Sequence, residues 1–597
     1  ALSLALYFAR WRLVGERDQE QADKKFQEAV TLFKATEENL AHLRDAASQY
    51  ALGTAYGDLV QSYYVYAEFA TDVGERKQLI EKAVTSFRKG LPIARLTGGI
   101  ALGYLEYAGA EALRQLARLE DDERRKLEIL AEAVVVAEEC NVVEERVSPL
   151  FTWNTGVGYM GEGSLRYDLA QVTHEPVRRR ELLEAAVSRF QVGFKKIRSY
   201  TSPLSPGQVL RLGDFYLRFV RALDGLFEET GDPNLLSEQI QATDLAAEAY
   251  SSVQRPARVA EAIWHRARVH SRKGEHKDAA QDYDRAAEHF REAAAIIPSL
   301  GDLYHDLGKY LQGWGQIEEA RAAHADALYR EASGIYRRAS STLEDARRWS
   351  PLSEHYAACA LLEGAEALSH EESPELASQA FIEAAEGFAT SKQAILEWRP
   401  FGMEEEREKD RWSIVTAARE RYCRARAGLE EAKLLDRMGK RGLSARRFAA
   451  STAILESLAE EEESAEGKQE MRMLALVSQA WGLMKEGEVG SKEEKYEEAA
   501  RLFEQVAGSA ANERLAATCR GSAAFCRALE SGTRLRLSWD PRLYRETKDH
   551  LETAAAHYTE ASMERAANWT RATEYMFDGL AYFAQAEGTL QAQEKGS

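Results

Sequence analysis

A five-residue string that returns at a nearly fixed interval constrains this chain more than any other feature. AVTLF begins at Ala29, AVTSF at Ala83, AVVVA at Ala133 and AVSRF at Ala186, so the copies stand 54, 50 and 53 residues apart. The longest internal match sets RKQLIEKAVTSFRKG from Arg76 against RRELLEAAVSRFQVG from Arg179, with Leu, Glu, Ala-Val, Phe and Gly recurring in register. Recurrence near fifty residues marks an array that adds one long helical hairpin per copy. At 597 residues the chain exceeds what one core usually spans, and growth by addition resolves that difficulty. The period predicts eleven or twelve hairpins.

The hairpins must be helical, because alternating β-branched runs are nearly absent while Ala, Leu, Glu, Arg and Lys fill segment after segment at helical spacing. The fold class is all-α. Prolines punctuate it at Pro149, Pro203, Pro206, Pro233 and Pro298, where one helix would end or the next begin. The opening ALSLALYFA is too short to span a bilayer, lacks a basic flank and reads as a helix. Two stretches interrupt the pattern, a Gly- and aromatic-rich one over 139–176 and EWRPFGMEEEREKDRW around Pro400. Both are expected as long loops or breaks. They divide the chain into N-terminal hairpin repeats over 1–138, a break over 139–176, central repeats over 177–398, a second break over 399–410 and C-terminal repeats over 411–597.

In the middle of the chain the repeats acquire a family signature. LGDLYHDLGKYLQGWGQIEEARAAHADAL, from Leu300, sets Tyr304, Leu307, Gly308, Leu311, Ala320 and Ala327 at the spacing of the aromatic, Leu-Gly, large apolar, Ala and Ala positions of a tetratricopeptide repeat. The preceding unit, AIWHRARVHSRKGEHKDAAQDYDRAAEHF, supplies Trp264, Ala280, Tyr283 and Ala287, with Arg268 where that family has glycine. WGLMKEGEVGSKEEKYEEAARLFEQVA repeats the pattern with Trp481, Tyr496, Ala499, Ala500 and Phe503. The chain thus resembles the tetratricopeptide repeat superfamily. The resemblance implies a superhelical solenoid of antiparallel hairpins with a period of about 40–54 residues, and it makes Gly308 and Ala320 the points of closest helix approach. It also implies a cytoplasmic interaction scaffold, not an enzyme, whose concave groove receives a partner helix or peptide.

Motifs that could carry chemistry lack their context. Gly156-x-Gly158-x-x-Gly161 spells a dinucleotide fingerprint but follows no strand, and it reads as a flexible loop. Six histidines fall between His265 and His324 without an i,i+4 pair, and no H-E-x-x-H occurs, so no metal site is assigned. Cys140, Cys359, Cys423, Cys519 and Cys526 form no C-x-x-C, which points to a reducing compartment, and Cys519 and Cys526, seven apart beside Ala516, Ala523 and Phe525, read as small hydrophobes packed in a helix interface. No catalytic or cofactor-binding residue is assigned. A net charge of -19 argues against nucleic acid and anionic membrane as partners of the whole chain.

One stretch departs from that balance. Between Arg411 and Arg447 eleven basic residues stand against four acidic ones. Arg419, Arg421, Arg424 and Arg426 within it are candidates for docking an acidic partner, against a structural reading in which they pair with neighbouring acids. Arg419 and Arg426 share one helix face and Arg421 and Arg424 another, so one face can be spent inside the array. Two further function classes stay open: a regulatory or sensor array of a larger signalling or defence complex, and an all-α toroid enzyme with paired carboxylates.

Overall fold

A small residue followed four positions later by a ring puts both on one side of a helix, a turn apart. Every hairpin of this protein is built around such a pair or a close variant of it. The computed structural model describes residues 19–596 apart from 68–69, 71, 148–151, 297–300, 400–402, 463–464, 511–512 and 539. Among the described residues there are twenty-two α-helices, one short 3-10 turn and no strand. They are α1 (Gln19–Leu40), α2 (Ala46–Ala67), α3 (Val73–Thr97), α4 (Gly99–Arg118), α5 (Glu123–Val147), α6 (Thr152–Gln171), α7 (Pro176–Arg198), α8 (Pro206–Thr230), α9 (Pro233–Ser252), α10 (Pro256–Arg272) and α11 (His276–Ile296). Then follow α12 (Gly301–Ala325), α13 (Tyr329–Glu344), α14 (Pro351–His370), α15 (Pro374–Glu397), α16 (Met403–Arg437), α17 (Arg441–Glu461), α18 (Ala465–Gly490), α19 (Glu493–Ser509), α20 (Glu513–Ser538), α21 (Pro541–Glu560) and α22 (Glu564–Gly596).

Consecutive helices make eleven pairs, and the odd-numbered member of each carries a buried four-residue step, small to large in ten of them. The steps are Ala29–Phe33, Ala83–Phe87, Ala186–Phe190, Ala246–Tyr250, Ala286–Phe290, Ala332–Tyr336, Ala384–Phe388, Ser451–Leu455, Ala499–Phe503 and Ala554–Tyr558, with Ala133–Ala137 of α5 small at both positions. The small member lets a neighbouring helix close in, and the large one fills the space beside it. The result is an all-α array of tetratricopeptide-like helix hairpins.

Two compact units divide the chain, Ala1–Gly315 and Gln316–Ser597, with the division inside α12. In the first unit α2 packs on α4, α4 on α6 and α6 on α8, so the second helices of successive pairs also form a row. Seven prolines open helices in their first turn, Pro176, Pro206, Pro233, Pro256, Pro351, Pro374 and Pro541, where a missing N–H costs nothing. Pro92 stands inside α3 instead. Pro149, Pro298, Pro400 and the opening ALSLALYFA lie outside the described residues.

Among its described residues the glycine-rich segment over 139–176 is mostly helix. Helix α5 runs to Val147 and α6 fills Thr152–Gln171, Gly156, Gly158 and Gly161 included. These glycines serve contact, not flexibility. A Cβ on Gly193 of α7 would lie 2.7 Å from the Gly156 carbonyl oxygen, and one on Gly156 would lie 2.9 Å from the Gly193 carbonyl oxygen, so α6 and α7 cross backbone to backbone. The second break, expected over 399–410, shortens as well, because α16 begins at Met403.

In the segment with the closest tetratricopeptide match α12 runs unbroken through Gly313, Trp314 and Gly315. A Cβ on Gly315 would meet Asp284 Oδ1 at 2.8 Å, and Trp314 stacks near Tyr283 with centroids 6.1 Å apart, so both residues are used against α11. A turn follows at 326–328. Ala327, expected in the packing, is exposed there at φ 59°. Leu311 and Ala320 are buried, Tyr304 stacks on Phe290, Leu307 and Trp264 are partly buried, and Gly308 is buried without crowding.

A Cβ on Gly308 would come no nearer than 3.4 Å to the Ala287 carbonyl oxygen. Gly308→Ala is therefore expected to raise the melting temperature, since alanine gains about 1 kcal/mol over glycine in a helix interior. Gly193→Ala is expected to lose about 1–3 kcal/mol by overpacking. Thermal melts of the two variants have opposite signs if the crossing lies at α6 and α7; equal losses would place it elsewhere.

Candidate functional site

Helix α4 is apolar along most of its surface, yet Tyr104, Tyr107, Glu111, Arg114 and Arg118 recur at spacings of three and four and so form one polar stripe. Tyr104 turns to α2, with its hydroxyl 2.9 Å from Asp58 Oδ1 and 2.6 Å from Gln61 Oε1, and the rest of the stripe faces α6 and α8. Arg114 is 1% exposed; its Nε donates to Asp168 Oδ2 of α6 at 2.6 Å and its Nη1 to both Glu111 oxygens at 3.3 Å. Arg118 reaches the same Asp168 oxygen at 3.3 Å. From α8, Arg211 donates to the Tyr107 hydroxyl and lies over its ring, 4.8 Å from the centroid.

Arg218, seven residues after Arg211 on the same face of α8, has no such partner. It is partly buried and rests 5.6 Å from the centroid of the Phe215 ring, and it makes no hydrogen bond or ion pair among the described residues. Burial, and then repulsion from Arg114 and Arg118, pull its guanidinium down to about 10. Glu111 shows the opposite balance. Burial alone would raise it, but Arg114, Arg218 and Arg118 carry it down to about 2. Four guanidinium groups thus line this seam against two carboxylates, Glu111 and Asp168. The arrangement can take up an anion.

On the other side of α4, Glu106 is 2% exposed and its Oε2 has no hydrogen-bond partner. Burial first, and then Glu139 and Glu144, push it up to about 7 despite Arg95. Beside it Cys140 donates to the Gly103 carbonyl at 3.2 Å, and Asn141 donates to Glu162 at 2.8 Å. Such a pKa suits a general acid, but the carboxyl is 2% exposed.

The basic stretch lies on α16 and α17 and is largely consumed within the second unit. Arg426 is bidentate on Glu366 of α14, at 2.6 and 2.7 Å, and lies 4.9 Å from the Phe381 ring centroid. Arg419, on the same face, donates to Cys359 Sγ at 3.2 Å. Arg421 holds Glu461 at 2.6 Å and Ser457 at 2.8 Å, while Arg424 pairs only with Glu420 one turn back and reaches solvent. The structure does not bring the four arginines together on one surface.

His270, Glu275 and Asp278 come close enough at the α10–α11 turn to hold a cation. His270 Nδ1 already meets Glu275 at 2.6 Å, and Lys273 sits on the same carboxylate at 2.8 Å, so the turn is closed by ion pairs. A cleft of about 240 Å³ between α19, α20 and α21 is lined by Arg501, Arg527 and Arg534, each already held by a glutamate. All five cysteines are free and buried. No described helix is long and apolar enough to cross a membrane.

No family model and no curated protein matches this chain. Solved structures with similar helical arrays include a signal transduction ATPase with numerous domains and a tetratricopeptide repeat sensor, from Pyrococcus horikoshii. It is 12% identical, with 93% of this chain and 74% of that one covered and a TM-score of 0.33. The hetero-tetramer Cut9-Hcn1 of the APC/C is 12% identical, with 94% and 98% covered and a TM-score of 0.25. Human IFIT1, a dimer with PPP-AAAA, is 14% identical, with 83% and 96% covered and a TM-score of 0.24. At such identities and superpositions none of them bears on what this chain binds.

Proposed function

We propose that this chain is a protein-interaction scaffold whose first unit receives an acidic peptide segment of a partner along the seam of α4, α6 and α8. Arg218 carries the reading. Glu111 and Asp214 act on Arg218 only at a distance, and a guanidinium held in a partly buried place with no carboxylate bonded to it is costly, so one brought by a partner would relieve that cost with two charge-assisted hydrogen bonds. Such a local surplus of positive charge is selective in a chain whose net charge is -19, because the surroundings repel acidic ligands that miss the seam. Buried reduced cysteines fit a cytoplasmic location. The buried acids sit in ion pairs or in closed interior, which favours a scaffold over a toroid enzyme.

The test uses a fluorescein-labelled ten-residue polyglutamate peptide and a polylysine control, read by anisotropy at low and high salt. Wild type is expected to bind the acidic peptide in a salt-sensitive manner, and Arg218→Gln to weaken it by about tenfold or more, matching the roughly 1.5–3 kcal/mol of hydrogen bonds to charged groups. Arg424→Gln, on the second unit, should leave binding unchanged. Equal binding by wild type and Arg218→Gln would overturn the proposal.

A further inference from the structure

The last described helix, α22, has two faces of opposite fate. Ala567, Thr570 and Phe577 are buried, while Trp569, Tyr575, Met576, Tyr582 and Phe583 on the other side stand 70, 71, 54, 73 and 68% exposed. Among the described helices α5 leaves four large apolar side chains exposed and α15 three, all of them aliphatic, whereas four of the five on α22 are aromatic. Fully covering an aromatic side chain buries about 150–250 Å², so these five offer roughly 600–800 Å². A standard protein interface needs about 800 Å² per partner.

The pattern along the face identifies the occupant. Positions 569, 572, 576, 579, 583 and 586 follow the spacing of a coiled-coil seam and read Trp, Ala, Met, Gly, Phe, Ala, with Ala572, Gly579 and Ala586 the small members between large neighbours. Large and small residues alternate. Laid antiparallel against itself with Met576 opposite Gly579, the stripe sets Trp569 opposite Ala586 and Phe583 opposite Ala572, so each large side chain meets a small one. A two-fold interface demands this property, because one patch must complement itself.

We propose that α22 is a self-association surface that pairs antiparallel with α22 of a second copy of this chain. Tyr575 and Tyr582 flank the seam and cover its rim, their hydroxyls left to water.

Light scattering on the eluting protein over about 5–100 μM tests this, since a two-state dimer changes mass with concentration. Wild type is expected to approach twice the monomer mass. Met576→Glu, at an exposed position, should keep the helical melt and shift half-association to at least tenfold higher concentration. The register is read by the Met576→Cys, Gly579→Cys double variant, which should form a covalent dimer under mild oxidant, while the five native cysteines stay buried. A wild type that remains monomeric, or a dimer indifferent to Met576→Glu, would overturn the proposal and leave the face to a different protein or to another helix hairpin.

Discussion

Arg114→Ala is expected to lose about 3–5 kcal/mol of stability at neutral pH, the cost of stranding buried carboxylates when their cation is removed. Asp168 keeps Arg118 at 3.3 Å, but Glu111 is left with repositioned arginines at best. The pH profile identifies the cause. Glu111 and Asp168 are held below the ordinary carboxylate range, so their contribution is complete above about pH 4.5 and fades as pH falls toward 2. Urea unfolding should therefore show a gap between wild type and variant that is full at pH 7 and narrows below pH 4. A gap of the same size at pH 3 would mean that lost packing, not lost charge, explains the defect.

Glu106→Gln should act with the opposite sign. The carboxyl titrates near 7 in the folded chain, so its own contribution to stability is greatest below the ordinary glutamate range, falls as pH rises from about 4.5 to 7, and is flat above. Every tenfold change in proton affinity between the folded and unfolded chain corresponds to about 1.4 kcal/mol, so the neutral amide is expected to gain up to about 3 kcal/mol at pH 8 and almost nothing at pH 4. Its NH₂ would face Glu144 and Glu139 as a donor instead of a third charge. Unfolding curves at the two pH values decide it, and a variant less stable than wild type at pH 8 would show that the buried oxygen has a partner worth keeping.

The array was readable because a five-residue window repeats, but only four of eleven windows carry its Ala-Val form, and Ala499–Phe503 was met through the tetratricopeptide pattern instead. The others hide for chemical reasons. Valine after the leading alanine gives way to another residue, as in AAEHF at Ala286 and AAEGF at Ala384, and Ser451–Leu455 keeps only the sizes. The tetratricopeptide signature from Leu300 misplaced Ala327, which lies exposed in the turn after α12 and not in the packing. The basic stretch was conspicuous by composition, and a spacing of seven residues puts Arg419 and Arg426 on one face. Which face is spent inside could not be read, because Glu366 and Cys359 lie some sixty residues away.

Arg218 went unnoticed for the same reason on a larger scale. Its seam exists only because α8 returns to α4, bringing Arg211 to Tyr107 across 104 residues. A local trace was nonetheless present, in the polar stripe of α4 and in two arginines seven apart on α8.

Spacing between successive steps ranges from 40 residues, Ala246 to Ala286, to 67, Ala384 to Ser451, while the step itself stays at four. What the array holds fixed is thus a contact, and what it lets float is the length of chain between contacts. Lengthening a turn is cheap, because doubling a loop adds only about 0.6 kcal/mol of closure entropy. One residue inserted within a step would rotate its large member by about 100° off the buried face. Such a chain can gain or lose residues at its turns over evolutionary time with little penalty, and even whole pairs, while the eleven short windows stay closed to insertion.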